Sequence, residues 1–327
     1  MRSTSILENL GDSSPRNADE LSRFIKQQAL AVGFDKVGIV RAAALDQEAV
    51  RLNEWLARGF HADMSWMERE PSGRIDPRTI FPGAHSIVVV AINYYTPSQH
   101  QERDGTGKVS RYAWGDDYHD ILREKLRSLF DRIKRVRPET EAKICVDIQP
   151  VMDKAWAVRA GLGWLGKHSN VITTEYGSWV FIGELLLNLE LQYDDEVIED
   201  HCGTCTLCID ACPTQAIVEP YVVDSAKCIS YATIELRETT IPAEVGEKLS
   251  GWLYGCDICQ DVCPWNRFEQ VAEEQRFEPR EGNVNSRLEE ILELDQQTYA
   301  ERFRGSAMKR AKLSGLQRNA RALMQGR

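Results

Sequence analysis

The sequence predicts an α/β (α+β) chain with a cysteine-rich unit set into its second half and a short helical segment at its end. Three observations carry this. Apolar residues recur at helical spacing over residues 17–32 and 118–136, residues 86–92 form a nearly unbroken β-branched run, and eight of the nine cysteines fall between Cys202 and Cys263. At 327 residues there is room for more than one domain, and a hydrophobic content of 43% is ordinary for a globular protein.

Each element has its own signal. Asn17 or Asp19 can cap the first helix, which places Leu21, Phe24, Ile25 and Ala29 on one face and stops at Gly33. Residues 35–40 read as a short strand and 46–58 as a second helix stopped by Gly59. Residues 60–82 read as a long irregular loop holding Arg74, Asp76 and Pro77, and loops of that length are usually functional. The run 86–92 is a buried strand. A second loop passes Gly105 and Gly107 to S-R-Y-A-W-G-D-D-Y-H at 110–119. Two long loops flanking one buried strand mark a site. The helix 118–136 has a basic face, with seven Lys or Arg between 123 and 137 against Glu124 and Asp131.

Residues 143–148 read as a strand with Asp147 near its end, followed by Pro150 and a helix through Trp156 to Ala160. The turn G-L-G-W-L-G-K-H-S-N then carries Gly161, Gly163 and Gly166 at G-x-G-x-x-G spacing. That string binds dinucleotides when it follows a strand and opens a helix. Here it ends a helix and leads into strands expected at 171–174 and 179–187, so the dinucleotide reading is rejected. A cofactor seat lined by backbone and a plain tight turn both remain open. Further helices are expected at 285–292, 296–303 and 308–324.

The cysteines carry the most specific signal. C-G-T-C-T-L-C-I-D-A-C-P supplies Cys202, Cys205, Cys208 and Cys212, and C-D-I-C-Q-D-V-C-P supplies Cys256, Cys259 and Cys263, with Cys228 between. The first run has the C-x2-C-x2-C-x3-C-P spacing of bacterial iron–sulfur proteins, in which the fourth cysteine serves the other cluster. One [4Fe–4S] cluster then takes Cys202, Cys205, Cys208 and Cys263, and a second takes Cys212, Cys228, Cys256 and Cys259. Cys145 is left over. Zinc also takes four thiolates but does not need the x3-C-P step twice. Disulfides are disfavoured because the chain starts without an apolar signal segment. No apolar run has the length of a membrane span, so a cytoplasmic protein without membrane contact is expected.

The formal net charge of −10 argues against an overall polyanion-binding surface, yet residues 302–327 hold eight Lys or Arg and no acid. Such a patch either holds a polyanion locally or is a solvated helix face. Two clusters carry single electrons, so substrate chemistry needs a second centre in the first 200 residues. The histidines there are scattered singly and read as structural.

Taken together, M-S-W-M with Arg74-x-Asp76-Pro77, S-R-Y-A-W-G-D-D-Y-H, V-D-I-Q-P-V-M-D-K, A-V-R-A-G-L-G-W-L-G-K, C-I-S-Y-A-T-I-E and G-C-D-I-C-Q-D-V-C-P-W-N resemble the epoxyqueuosine reductase family, in order from about residue 20 to 324. The resemblance implies a cobalamin-dependent oxidoreductase that reduces the epoxide of epoxyqueuosine to queuosine at the wobble position of tRNA, fed by two [4Fe–4S] clusters. It implies a flexible tail at 1–16, a nitroreductase-like cobalamin-binding domain at 17–195, a ferredoxin-like domain at 196–270 and a helical basic segment at 271–327, a truncated form of the HEAT-like repeats of longer members.

By position, Asp147 matches the family's proton donor, which must be held protonated by burial or recharged between turnovers. Capping the following helix is its alternative role. Arg74, Asp147, His168, Ser169, Asn170, Ser230, Tyr231 and Asp257 are the implied cobalamin contacts. Lys227, Arg237, Lys309, Arg310, Lys312 and Arg318 are the implied tRNA contacts. The turn reads G-K-H-S-N where the family more often has Asn-Thr after the Lys. An external electron donor such as a flavodoxin or ferredoxin is implied, and a monomer is expected. Two rivals stand beside this reading: a corrinoid dehalogenase-like enzyme acting on a small organohalide, and a two-cluster electron carrier without catalysis.

Overall fold

A computed structural model describes residues 15–69, 71–101, 103–194, 197–268 and 270–325. Residues 1–14 of the tail expected at 1–16, and the basic Arg327, lie outside the described residues.

The central sheet has four antiparallel strands in the spatial order Lys36–Arg41, Ser86–Asn93, Val180–Leu187, Ala142–Cys145. Every residue of Ser86–Asn93 is buried, because both faces of the sheet are covered. Val88, Val90 and Ile92 point into a core with the helices Ala18–Ala31 and Tyr118–Val136, while Ile87, Val89 and Ala91 point into a second core with Trp156 and Ala157 of the helix Asp153–Arg159. The period of two in a strand sorts these side chains between the layers. Asn17 caps the first helix by accepting from the Glu20 N–H. Asp117 caps the helix Tyr118–Val136.

A second, three-stranded sheet joins Thr106–Val109 to Trp252–Tyr254 in parallel and to Asn285–Arg287 antiparallel. It draws one strand from the loop after the buried strand, one from the cysteine-rich region and one from the C-terminal segment. The core beneath it includes Trp114, Trp252, Leu288, Met308, Leu316 and Ala320. The C-terminal segment is thus built into the body of the protein.

Several expectations need correction. The segment 60–82 is ordered into the short helices Trp66–Arg69, Pro71–Ile75 and Pro77–Thr79. The strand expected at 143–148 ends at Cys145, leaving Asp147 in a turn. The Gly105/Gly107 segment is partly strand, because Gly107 lets the chain pass where a Cβ would meet Leu253 Cβ at 2.6 Å. The helix expected from 285 starts at Leu288, and the last helix is broken at Lys312, whose φ is +62°. The glycine-rich turn forms a hairpin between Trp164–Leu165 and Val171–Ile172, where a Cβ on Gly163 would lie 2.1 Å from the Ile172 carbonyl oxygen. No described helix is long and apolar enough to cross a membrane.

Candidate active site

One cavity of about 1070 Å³ opens where the parts of the chain meet. It is above the range of roughly 300–1,000 Å³ common for small-molecule sites. The loops after the first two helices supply Trp66, Arg69 and Arg74; the start of the long helix supplies Tyr118, His119 and Arg123. Asp147 comes from the turn after the edge strand, Cys228, Ser230 and Tyr231 from the cysteine-rich region, and Lys309 and Arg310 from the C-terminal segment.

Asp147 sits in the left-handed region, with φ +57°, a conformation that costs a non-glycine residue energy and re-aims its side chain. Its side chain is 61% exposed to the cavity. Oδ2 accepts from the Tyr118 hydroxyl at 3.0 Å and meets His119 Nε2 at 3.1 Å. His119 Nδ1 in turn meets Asp117 Oδ1 at 2.6 Å. The Tyr118 ring is stacked between His119, at 4.0 Å, and Phe181, at 4.3 Å, which fixes the network in place. Burial pushes His119 down, but the two carboxylates outweigh it and raise the imidazole to about 9. Surrounding protein atoms push Asp147 up, and the bonds from His119 and Tyr118 more than offset this, so its carboxyl lies below the usual range. Of the two expectations for Asp147, protonation by burial or recharging between turnovers, these shifts favour the second, with the proton of the pair on His119 at neutral pH.

Behind the site, Glu184 of the central sheet is fully buried, and neither of its oxygens has a donor; Asp153 Oδ1 is likewise buried without one. The two carboxyl groups face each other. Burial raises both carboxyls, and the neighbouring Asp153 raises Glu184 further.

Arg74 is buried, and its guanidinium lies 5.4 Å from the Trp66 ring centre at the cavity wall. Ser230 and Tyr231 also line the cavity, and the Tyr231 hydroxyl donates to Asp63 at 2.9 Å. The other cofactor candidates are placed elsewhere. His168, Ser169 and Asn170 do not line the cavity; their turn is held by Lys154, whose Nζ donates to the Ser169 carbonyl at 2.7 Å and to Asn170 Oδ1 at 2.9 Å. His168 is buried, and desolvation lowers it to about 4. Asp257 is buried away from the cavity and accepts from Ser110 Oγ at 2.5 Å and the Arg111 N–H at 2.7 Å, tying the cysteine-rich region to the 110–119 loop.

Lys309 and Arg310 are exposed at the cavity rim, with Arg310 held by two bonds of 2.7 Å to Glu235. Arg237 donates to the Arg310 carbonyl, Lys227 pairs with Asp224 at 3.5 Å, and Lys312 is exposed on the last helix. Arg318 is corrected from a surface contact to a buried clamp. It donates to the carbonyls of Ala232, Leu236 and Glu238 and fastens the last helix to the cysteine-rich region.

The thiols fall into two electrostatic neighbourhoods. Burial raises Cys208 to about 11, helped by Cys263, Cys202 and Cys205. Burial also raises Cys256 and Cys259, helped in both cases by Cys228 and, for Cys259, by Cys208 and Cys212, so the two neighbourhoods meet at Cys208 and Cys259. Among the described residues no three His, Cys, Asp or Glu side chains converge as a single metal ion requires. A cubane differs in giving each thiolate its own iron. Cys212 Sγ accepts the Ala216 N–H at 3.3 Å, the kind of bond that stabilises a cluster thiolate. Cys228 is the cysteine that reaches the cavity wall.

Sequence reading passed over Tyr118, His119 and Asp117, although D-D-Y-H stood inside a string already singled out. It also passed over Glu184 and Asp153, whose spacing of 31 residues shows nothing until the strand and the helix pack.

A family model described as epoxyqueuosine reductase QueG, DUF1730, matches residues 74–148, and one described as 4Fe-4S double cluster binding domain matches residues 201–266. The epoxyqueuosine reductase of Synechocystis sp. is 48% identical over 281 residues, 86% of this chain and 96% of its own. That of Cellulophaga algicola is 47% identical over 298 residues, 91% of this chain and 96% of its own. A crystal structure of epoxyqueuosine reductase with an epoxyqueuosine-modified tRNA-Tyr stem loop superposes with a TM-score of 0.88 at 32% identity, covering 94% of this chain and 82% of that one. With identity near one half over nearly the whole length of both chains, a double [4Fe–4S] region and a shared fold, this chain belongs to the epoxyqueuosine reductase family of oxidoreductases.

Proposed function

We propose that this protein reduces the epoxide of epoxyqueuosine in tRNA, with cobalamin seated in the cavity and Asp147 delivering the proton that the departing oxygen needs. The observation that carries this is the shared wall of the cavity, where the Asp147–His119 pair, the cluster ligand Cys228 and the basic residues Lys309 and Arg310 all open on one space.

Cobalamin fits the residues present. The cavity is large and has an aromatic wall from Trp66, Tyr112, Tyr118 and Tyr231, with Arg74 beside it. His119 is its lining histidine, and both ring nitrogens are engaged by carboxylates, so it is not offered as an axial ligand. Arg74, Ser230 and Tyr231 would hold the cofactor. Bound there, cobalamin would supply a low-valent cobalt centre able to pass electrons to carbon.

The chain's own groups do the rest. Opening the epoxide and releasing its oxygen as water, with a double bond left behind, takes two electrons and two protons. His119 holds a proton on Nε2 against Asp147, and a carboxylate 3.1 Å away can pass it to an oxygen seated in the cavity. The Tyr118 hydroxyl and the left-handed turn aim that carboxylate. Cys228, in the cavity wall, would hold a cluster that supplies single electrons to this space. Lys309 and Arg310, with Lys227, Arg237 and Lys312 farther out, are placed to meet phosphates of the stem loop. The turn of His168, Ser169 and Asn170, held by Lys154, and Asp257, held by Ser110 and Arg111, lie outside the cavity lining.

The test is anaerobic reconstitution with iron, sulfide and cobalamin, then reduction with dithionite and addition of tRNA bearing the epoxide. About eight iron per chain follow from two [4Fe–4S] clusters, with one cobalt and conversion to queuosine. The Asp147→Asn variant is expected to keep its metals and lose roughly 10²–10⁴-fold in rate. Full iron without cobalt, or undiminished turnover in that variant, refutes the reading.

A further inference from the structure

From residue 168 to residue 226 the chain carries eleven Asp or Glu and no Lys or Arg; of these, Glu184 is buried in the central sheet, and Glu175, Asp194, Glu219 and Asp224 pair with Lys36, Lys26, Arg58 and Lys227. That stretch contains Cys202, Cys205 and Cys208, three ligands of the cluster whose thiols do not reach the cavity. Around them the surface is acidic with an apolar centre. Leu207 is 49% exposed, directly before Cys208 on the helix Leu207–Asp210. Asp210 is exposed on the same short helix, Glu199 and Asp200 are exposed just before Cys202, and Asp261 is exposed at the end of the helix Ile258–Asp261, which packs against Leu207–Asp210.

The cations that could neutralise this face are turned away or spent. Lys167 is buried and donates to the carbonyls of Gly203 and Cys205. Lys26 pairs with Asp194, and Arg58 with Glu219. Arg267 lies over the Phe268 ring. The cavity wall mixes Arg69, Arg74, Arg123, Lys309 and Arg310 with Asp117, Asp120, Asp147 and Glu235, and none of Glu199, Asp200, Asp210 and Asp261 lines it. The two regions therefore differ: Cys228 opens on a cavity whose wall carries both signs of charge, whereas Cys202, Cys205 and Cys208 lie in a stretch with exposed Asp and Glu and no Lys or Arg.

We propose that the acidic face centred on Leu207 is the port where electrons enter, and that its occupant is a one-electron carrier protein with a docking surface rich in Lys and Arg. This rests on the function proposed above. Each carrier is oxidised by one electron as the cluster of Cys202, Cys205, Cys208 and Cys263 is reduced by one. Two deliveries supply the two electrons of one epoxide removal, while both protons enter from the cavity side. The charge pattern steers such a carrier to this face. It repels tRNA from the same place, so carrier and tRNA do not compete. A carrier with an acidic docking surface is repelled as well.

The test uses the holoprotein, reduced with dithionite and freed of excess reductant, as electron donor to oxidised cytochrome c in stopped flow. Native cytochrome c presents lysines, and succinylated cytochrome c presents the same haem with the charge reversed. At low ionic strength the native form is expected to react about tenfold faster or more, and its rate should fall with added salt. Glu199→Lys combined with Asp210→Lys should lower the native rate by about tenfold and raise the succinylated one; the neutral pair Glu199→Gln with Asp210→Asn should fall between. Calorimetric binding of zinc-substituted cytochrome c should weaken in the same order. Iron content, reduction by dithionite and tRNA binding should be unchanged in every variant. Equal rates for the two cytochromes, or variants that react like wild type, overturn the port while dithionite-driven epoxide turnover leaves the proposed function standing. Loss of that turnover in the wild type, with the charge effects intact, overturns the proposed function and leaves the port.

Discussion

Replacing Asp117 with Asn should shift the alkaline limit of activity downward while leaving activity near pH 6 intact. His119 is raised to about 9 from an ordinary 6.5. That difference is worth about 3.4 kcal/mol at about 1.4 kcal/mol per pH unit. Its side chain is only 19% exposed, so solvent screening takes little of this. Two carboxylates supply it against the cost of burial, and the Asp117 contact, at 2.6 Å, is shorter than the Asp147 contact, at 3.1 Å. Assigning the larger share to Asp117 places His119 of the variant near ~7.5. Asn keeps the acceptor that caps the long helix, so the fold should survive.

The direction follows from which state binds the proton. A raised histidine favours the folded state fully below about 6.5 and loses that contribution as pH climbs through its folded value of about 9. At pH 8 the wild-type imidazole is about 90% protonated and the variant's about 25%, which gives a fall of roughly fourfold in a step that uses this proton. At pH 6 both are more than about 95% protonated, and the rates should agree. Single-turnover conversion of epoxide-bearing tRNA by dithionite-reduced protein, across pH 5.5 to 10, reads this directly, and chemical unfolding at the same pH values reads the stability side. An alkaline limb that stays in place in the variant would refute the claim that His119 stores the proton.

Cys228→Ser should perturb the cluster at the cavity wall, lowering iron toward about four per chain if that cluster is lost, and should abolish dithionite-driven turnover while the cluster of Cys202, Cys205, Cys208 and Cys263 remains visible by EPR. Lys309→Glu should weaken tRNA binding and reduce the salt slope by about one, whereas Arg318→Ala should cost about 2–4 kcal/mol of stability by stranding three buried carbonyls and leave that slope unchanged. Glu184→Gln should stabilise the protein at pH 8 by about 1 kcal/mol or more and change little near pH 4.5. A carboxyl raised in the folded state loses its stabilisation as pH rises above its unfolded value, and the amide does not titrate.

The parts of the fold that were legible in the sequence are those in which a local pattern decides the outcome. The helix Tyr118–Val136 lies where its apolar period put it, with Ile121, Leu122, Leu126, Leu129 and Ile133 all buried. The strand Ser86–Asn93 is buried throughout, as its β-branched run required. The cysteine spacing is likewise local, and the double-cluster region it indicated is the one matched over residues 201–266. Thr106–Val109, Trp252–Tyr254 and Asn285–Arg287 were not legible, because each is only three or four residues long and gains its partners from segments far away in the chain.

The same distinction explains why the basic C-terminal residues could be noticed but not sorted. A count of charge treats Arg310 and Arg318 alike. In the fold, the break at Lys312 leaves Arg310 at the cavity rim and turns Arg318 inward against Ala232, Leu236 and Glu238. These carbonyls belong to and follow the helix Ile229–Ile234, which begins just after Cys228. The buried arginine therefore helps to set where Cys228 meets the cavity, and the exposed one helps to form the rim that a polyanion would meet. Asp147 follows the same logic: nothing in V-D-I-Q-P separates a helix cap from a proton-handling carboxylate. The difference arises only when the left-handed turn carries it past the end of the sheet and the capped helix presents Tyr118 and His119 to the same oxygen.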